Sequence, residues 1–141
     1  MAPETKRIEV KLETLLDSVD LAESIVMRVA GAAGFNDEDC HKVGMSVREA
    51  VINAYNYGNK GDRSRKVLLK VELVGDNLVI RVLDEGSGFD PLEVPDPLAE
   101  ENLLRTSGRG LFLIRAFMDE FTIQRGPNGG AELVMAKRLP T

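Results

Sequence analysis

Three short groups of residues carry the chemistry legible in this 141-residue chain. The first is Glu49 and Asn53. They lie four apart in a helical pattern, so they project from neighbouring positions on one face. Apolar Ala50, Val51 and Ala54 surround them in sequence. A carboxylate and a carboxamide beside an apolar face are costly to bury without partners, and a bound cation or polar ligand would satisfy them. Oxygen donors of this kind suit Mg²⁺, which takes one or two protein ligands and fills its shell with phosphate oxygens and water. Taken alone, a Glu and Asn pair is equally an ordinary solvated helix face.

The second group is Asp84-Glu85-Gly86-Ser87-Gly88-Phe89. Asp84 shares strand parity with Leu78, Ile80 and Val82, so it points to the face those residues bury, at the strand's end. A carboxylate there needs a hydrogen-bond donor, and the exocyclic amine of a purine is one candidate. Gly86 and Gly88 let a ligand approach the backbone and leave φ > 0 open. The alternative for this segment is a common Asp-Gly type of turn.

The third group is Ser107-Gly108-Arg109-Gly110-Leu111, which leads into a helix. Glycines before a helix N-terminus expose amide N–H groups and the positive end of the dipole to an anion. The segment is not a Walker A motif, because no Lys-Ser or Lys-Thr follows, and it is not a dinucleotide-binding Gly-x-Gly-x-x-Gly. Arg105 and Arg109 add two fixed cations within reach of a terminal phosphate.

The elements that must hold these groups follow from hydrophobic period and punctuation. Arg7 to Leu12 alternates and reads as an edge strand. Val19 to Ala33 has a helical period, with Ser18 as its cap and Gly34 as its stop. Asn36 to Tyr57 reads as a longer helix, capped by Asn36, with Asp37, Glu38 and Asp39 crowding its first turn and Gly58 ending it. Lys66 to Val74 alternates, Gly75-Asp76-Asn77 turns, and Asn77 to Asp84 is a strand apolar on both faces and therefore central. Pro91 to Thr106 has three prolines and no period, the mark of a lid or a disordered loop, with one short helical turn allowed from Asp96 to Leu104. A third helix spans Gly110 to Met118. Glu120 to Gln124 and Ala131 to Lys137 form a hairpin about Asn128-Gly129-Gly130. The order predicts an α/β (α+β) two-layer sandwich: a mixed, mainly antiparallel sheet with helices on one face.

Composition bounds the rest. Hydrophobic residues make up 43% and charged residues 29% of the chain, an ordinary globular balance. The length predicts one domain, residues 1–141. A net charge of −5 with no dominant basic block argues against nucleic acid as the main partner. The basic run Arg63-Ser64-Arg65-Lys66 falls in a turn. One cysteine, Cys40, permits no intrachain disulfide and fits a reducing compartment as a half-buried structural thiol. No apolar run approaches a membrane span or a secretory segment, so a cytoplasmic location is expected.

Taken in order, the three groups resemble the GHKL superfamily of ATPases, and in particular its small anti-sigma serine kinases of the RsbW type. Glu49-Ala50-Val51-Ile52-Asn53-Ala54 resembles the N box. Asp84-Glu85-Gly86-Ser87-Gly88 resembles the first glycine box, and Gly108-Arg109-Gly110-Leu111 the second. The match runs from about Asp37 to Lys137 and implies a Bergerat-type ATP-binding fold with an ATP lid at about residues 91–107. It implies Glu49 as general base, Asn53 as Mg²⁺ ligand, and Asp84 as partner of the adenine amine. Gly86 and Gly88 would shape the base pocket, and Gly108, Gly110 and Leu111 would lie at the phosphates. Relatives place an arginine at the lid's end on the terminal phosphate. Thr106 stands there in this chain, with Arg105 before it and Arg109 after it. The helix exit is Tyr57-Gly58-Asn59, where many relatives carry His-Gly.

The function so implied is an ATP-dependent serine/threonine-protein kinase that binds a sigma factor and phosphorylates a STAS-domain antagonist, acting as a homodimer in partner switching. The alternatives are a catalytically silent nucleotide-binding regulator and a switch kinase that binds no sigma factor. The presence of Glu49 favours the enzyme, because a binder has no need of a base. No phosphoacceptor-histidine helix is read in these 141 residues, so a complete sensor histidine kinase is not expected.

Overall fold

The structure is a computed structural model that describes residues 6–86, 109–127 and 129–140. The elements are β1 (Lys6–Glu13), α1 (Leu16–Ala32), α2 (Asp37–Asn53), a π-helical turn (Ala54–Gly58), β2 (Lys66–Val74), β3 (Asn77–Leu83), α3 (Arg109–Phe117), β4 (Glu120–Arg125) and β5 (Ala131–Arg138). The expected lid at 91–107, the helical turn from Asp96, and Gly88, Arg105, Thr106 and Gly108 lie outside the described residues.

The sheet runs β1-β2-β3-β5-β4, which puts β1 at an edge and β3 at the centre, as their patterns predict. Every strand pair is antiparallel, so the mixed sheet expected from the element order narrows to an antiparallel one among the described residues. Register aligns one apolar row across the sheet: Val10 faces Leu69, Leu69 faces Val82, and Val82 faces Leu133. That face packs with Val19, Ala22 and Val26 of α1, Val43, Val47 and Val51 of α2, and Ile114 of α3 in one core. The opposite face carries Arg81, whose Nη1 donates to Glu132 Oε1 at 2.8 Å, while Gln124 Nε2 donates to the same oxygen at 2.9 Å. Helices on one face and polar pairs on the other make the two-layer α+β sandwich.

Local chemistry explains the helix ends. Asn36 Oδ1 accepts from Asp39 N–H at 2.8 Å, and three acids sit in the first turn of α2 where the dipole favours them. Gly34, with φ of 104°, closes α1 in a Schellman pattern. Its N–H reaches Gly31 O, and Phe35 N–H reaches Ala30 O, both at 3.1 Å. The other end of α1 departs from expectation. The helix starts at Leu16, its N-cap Leu15 makes no side-chain cap bond, and Ser18 is buried inside the first turn. Thr14, the nearest upstream hydroxyl, is committed elsewhere: its Oγ1 donates to Arg65 O at 2.6 Å.

α2 and α1 approach closely at Gly44, where a Cβ would stand 2.6 Å from Met27 Cγ. Arg48 Nη1 ties the pair with bonds to Asp20 Oδ1 at 2.5 Å and Glu23 Oε2 at 3.1 Å. Those two carboxylates raise the Arg48 pKa further above its ordinary range. Cys40 is buried with its S–H directed at Phe35 O, and burial pushes its thiol pKa up. It is a structural thiol, as read. The continuous helix expected to Tyr57 does not form: after Asn53 the last turn widens, and Asn59 N–H donates to Ala54 O at 2.8 Å. Such π turns recur at functional sites.

Candidate functional site

Glu49 and Asn53 fall on α2 and are both half-buried. Glu49 meets the first turn of α3: a Cβ on Gly110 would lie 2.5 Å from Glu49 Oε2 and 3.3 Å from its Cδ. A side chain at 110 would therefore push the Glu49 carboxylate from the place it occupies. This contact joins the first and third sequence groups. Asn53 follows one turn later, and its Nδ2 is buried without a hydrogen-bond partner among the described residues. Arg109 opens α3, and the Leu111 side chain packs against the core.

Asp84 ends the central strand and is buried, as its parity predicts. Its Oδ1 accepts from Gly86 N–H at 2.9 Å and from Ala131 N–H at 3.1 Å. Its own N–H donates to Ala131 O at 3.1 Å. Burial raises the Asp84 pKa above the ordinary carboxylate range, and the two backbone N–H groups and the nearby Arg65 cation oppose that rise.

Three glycines from three segments close on this residue. A Cβ on Gly58 would overlap Asp84 Oδ2 and Cγ. A Cβ on Gly86 would overlap the Gly58 carbonyl oxygen, and one on Gly130 would overlap the Asp84 carbonyl oxygen. Gly86 was expected to serve through positive φ or close approach. Its φ is not positive, so close approach is the reason. Sequence reasoning read Gly58 only as a helix stop and Gly130 only as a hairpin turn. Their spacing to Asp84 in the chain gives no sign of contact, because the widened turn and the β4–β5 hairpin bring them in. Of the expected site residues, the described structure thus places Glu49 with Gly110 and Asp84 with Gly86. It links the two clusters through α2 and the π turn, with Asn53 between them.

The arrangement presents a polar run along one helix. Helical rise puts Gly58 about 13 Å beyond Glu49. The start of α3 stands at one end and the buried Asp84 carboxylate at the other.

Comparison with known proteins gives the same outline. The model of the histidine kinase-like ATPase domain matches residues 12–137. A serine-protein kinase RsbW from Listeria innocua is 28% identical, covering 99% of this chain and 91% of the relative. One from Oceanobacillus iheyensis is 29% identical, over 94% of this chain and 86% of the relative. An anti-sigma F factor from Clostridium perfringens is 31% identical, over 74% of this chain and 76% of the relative. A crystal structure of the RsbU and RsbW domains of a Mycobacterium tuberculosis protein superposes with a TM-score of 0.68 at 19% identity. It covers 95% of this chain, which spans 32% of that longer one, and the likeness is one of fold. No helix among the described residues is long and apolar enough to cross a membrane. With the family model matched over most of its length, the chain belongs to the histidine kinase-like ATPase domain family.

Proposed function

We propose that this chain is an ATP-dependent protein-serine/threonine kinase of the RsbW type, which holds a sigma factor and phosphorylates a STAS-domain antagonist. The observation that carries the catalytic half is the Glu49 carboxylate, held against the start of α3 one turn from Asn53. The partner half rests on the relatives named serine-protein kinase RsbW and anti-sigma F factor. The reading includes a homodimer acting in the cytoplasm, as the resemblance of the three motifs to the anti-sigma kinases implies.

In this reading the adenine amine donates to Asp84, and the phosphate chain runs back along α2 toward α3. The glycines around Asp84 let three stretches of backbone close on its carboxylate and hold it in place. Gly110 and Gly108 offer backbone N–H groups to the phosphates, and Arg105 or Arg109 takes the terminal one. Glu49 accepts the proton of the antagonist's hydroxyl as its oxygen bonds to the terminal phosphorus. The bond from that phosphorus to the bridging oxygen breaks, and ADP leaves with the electron pair.

Asn53 fits the family's magnesium. Its Nδ2 is buried with no partner among the described residues, and a half-turn of the carboxamide would present there the oxygen that a hard cation takes. Magnesium, when bound there, would neutralise charge on the phosphates.

Single-turnover transfer from labelled ATP to a STAS-domain antagonist tests the whole. Glu49→Gln keeps shape and removes the charge. It is expected to cut transfer by about 10²- to 10⁴-fold while ADP and sigma-factor binding persist. A wild type that binds ATP and a sigma factor yet transfers nothing makes the chain a silent regulator. Transfer without sigma-factor binding makes it a switch kinase.

A further inference from the structure

Asn59 is fully buried, and its side chain makes three hydrogen bonds among the described residues. Nδ2 donates to Thr14 Oγ1 at 2.9 Å and to Lys66 O at 3.0 Å. Oδ1 accepts from Glu85 N–H at 2.8 Å. Thr14, itself 1% exposed, passes the chain on to Arg65 O at 2.6 Å. Glu85 Oε1 accepts from Lys66 N–H at 2.9 Å. Asn59 N–H closes the π turn on Ala54 O. One carboxamide therefore ties together the end of β1, the exit of the long helix, the start of β2 and the residue after Asp84.

The tie to Glu85 matters most. The peptide of Glu85 is bracketed by two bonds: its own N–H is held by Asn59, and the next N–H, on Gly86, is held by Asp84 Oδ1. Ala131 N–H pins the same oxygen from the hairpin. The direction of the Asp84 carboxylate is thus set by the path of the backbone just beyond it, and Asn59 fixes that path from behind. Only an amide does all of this: a carboxylate at 59 cannot donate, and an aliphatic side chain takes away the partner of Glu85 N–H.

We propose that Asn59 is a positioning residue for base selection, which aims Asp84 at the purine amine through the Glu85 peptide without touching nucleotide. This rests on the reading of Asp84 as the adenine partner. The consequence is a loss of discrimination, since a misdirected carboxylate no longer separates a 6-amino from a 6-oxo purine.

The experiment compares dissociation constants of ADP and IDP for wild type, Asn59→Ala and Thr14→Val, with melting temperatures alongside. A ratio of affinities is read from folded molecules only, so simple loss of stability leaves it unmoved. Asn59→Ala is expected to lower the ADP-over-IDP preference about five- to tenfold, the weight of one hydrogen bond. Thr14→Val removes a partner of Asn59 but keeps the Glu85 bond, so it is expected to melt lower with a wild-type ratio. If Asn59→Ala does not fold, Asn59→Ser, whose hydroxyl is too short for Glu85 N–H, carries the same comparison. A wild-type ratio in the Asn59 variant overturns the inference alone, as does an equal fall in Thr14→Val. A wild type that does not prefer ADP overturns the assignment of Asp84 and the inference with it.

Discussion

Glu49 Oε2 stands 2.5 Å from where a Cβ on Gly110 would be, so the carboxylate on α2 and the first turn of α3 share one small volume. Gly110→Ala must displace one of them. Elsewhere in a helix that exchange favours alanine by up to about 1 kcal/mol. Here it is expected to destabilise the fold and to cut phosphoryl transfer. In a Glu49→Ala background the carboxylate is gone and only the Cβ contact at 3.3 Å stays, so the same exchange should cost less or become neutral. A double-mutant cycle in chemical denaturation reads the coupling directly, and strict additivity would show that the two residues do not meet.

Asp84 gives a pH dependence with a definite sign. Its folded-state pKa is raised, chiefly by burial. Its contribution to stability is therefore fully present below the unfolded carboxylate pKa and is lost as pH rises through the raised folded value. Nucleotide binding runs the other way, because the ionised carboxylate is the better acceptor for an amine. ADP affinity is expected to fall on acidification at a higher pH than an ordinary carboxylate would give. Asp84→Asn should weaken ADP and ATP alike and flatten that profile. Calorimetric titration across the acidic range checks both.

Gly58→Ala places a methyl group on the Asp84 carboxylate. Overpacking of this kind costs about 1–3 kcal/mol. The expected result is a lower melting temperature and a loss of adenine-nucleotide binding larger than the loss of fold. Gly61, with φ of 71° and open space around it, is the control: Gly61→Ala should strain the loop and leave nucleotide affinity intact. Fluorescent ADP binding on both variants separates the two effects.

Asn53→Ala is expected to lower ATP affinity in the presence of Mg²⁺ and to change metal-free nucleotide binding little. Titration of Mg²⁺ at fixed nucleotide measures this. Unchanged metal dependence would leave Asn53 as a helix residue with an idle amide.

Much of the fold was written in local pattern. Val67, Leu69, Val71 and Leu73 mark one face of Lys66–Val74, and the segment is a strand over that same span. Asn36 followed by three acids marks the start of α2 without help from the rest of the chain. Asp84 could be placed on the buried face by parity alone. What escaped reading is what depends on distant partners. Ser18 resembles a cap, yet α1 begins earlier and buries it. The π turn has no period of its own to distinguish it from an α-helix. Gly58, Gly130 and Asn59 matter through contact with Asp84 or its neighbour, and no spacing rule connects positions brought together by a sheet.

The register that sets Lys6 opposite Leu73 and Leu12 opposite Val67 also imposes an order of assembly. β1 is synthesised first, but the strand it pairs with follows both long helices. α1 and α2 lie next to each other in the chain, so their packing about Gly44 needs only local search, and the β1–β2 ladder must close over them afterwards. Thr14 joins Asn59 only once that ladder is in place. The segment around Asp84 is therefore expected to be completed late, after the helical layer has packed. While it waits, β1 is guarded by its alternating charges, Lys6, Arg7, Glu9, Lys11 and Glu13, which discourage pairing with another copy of itself.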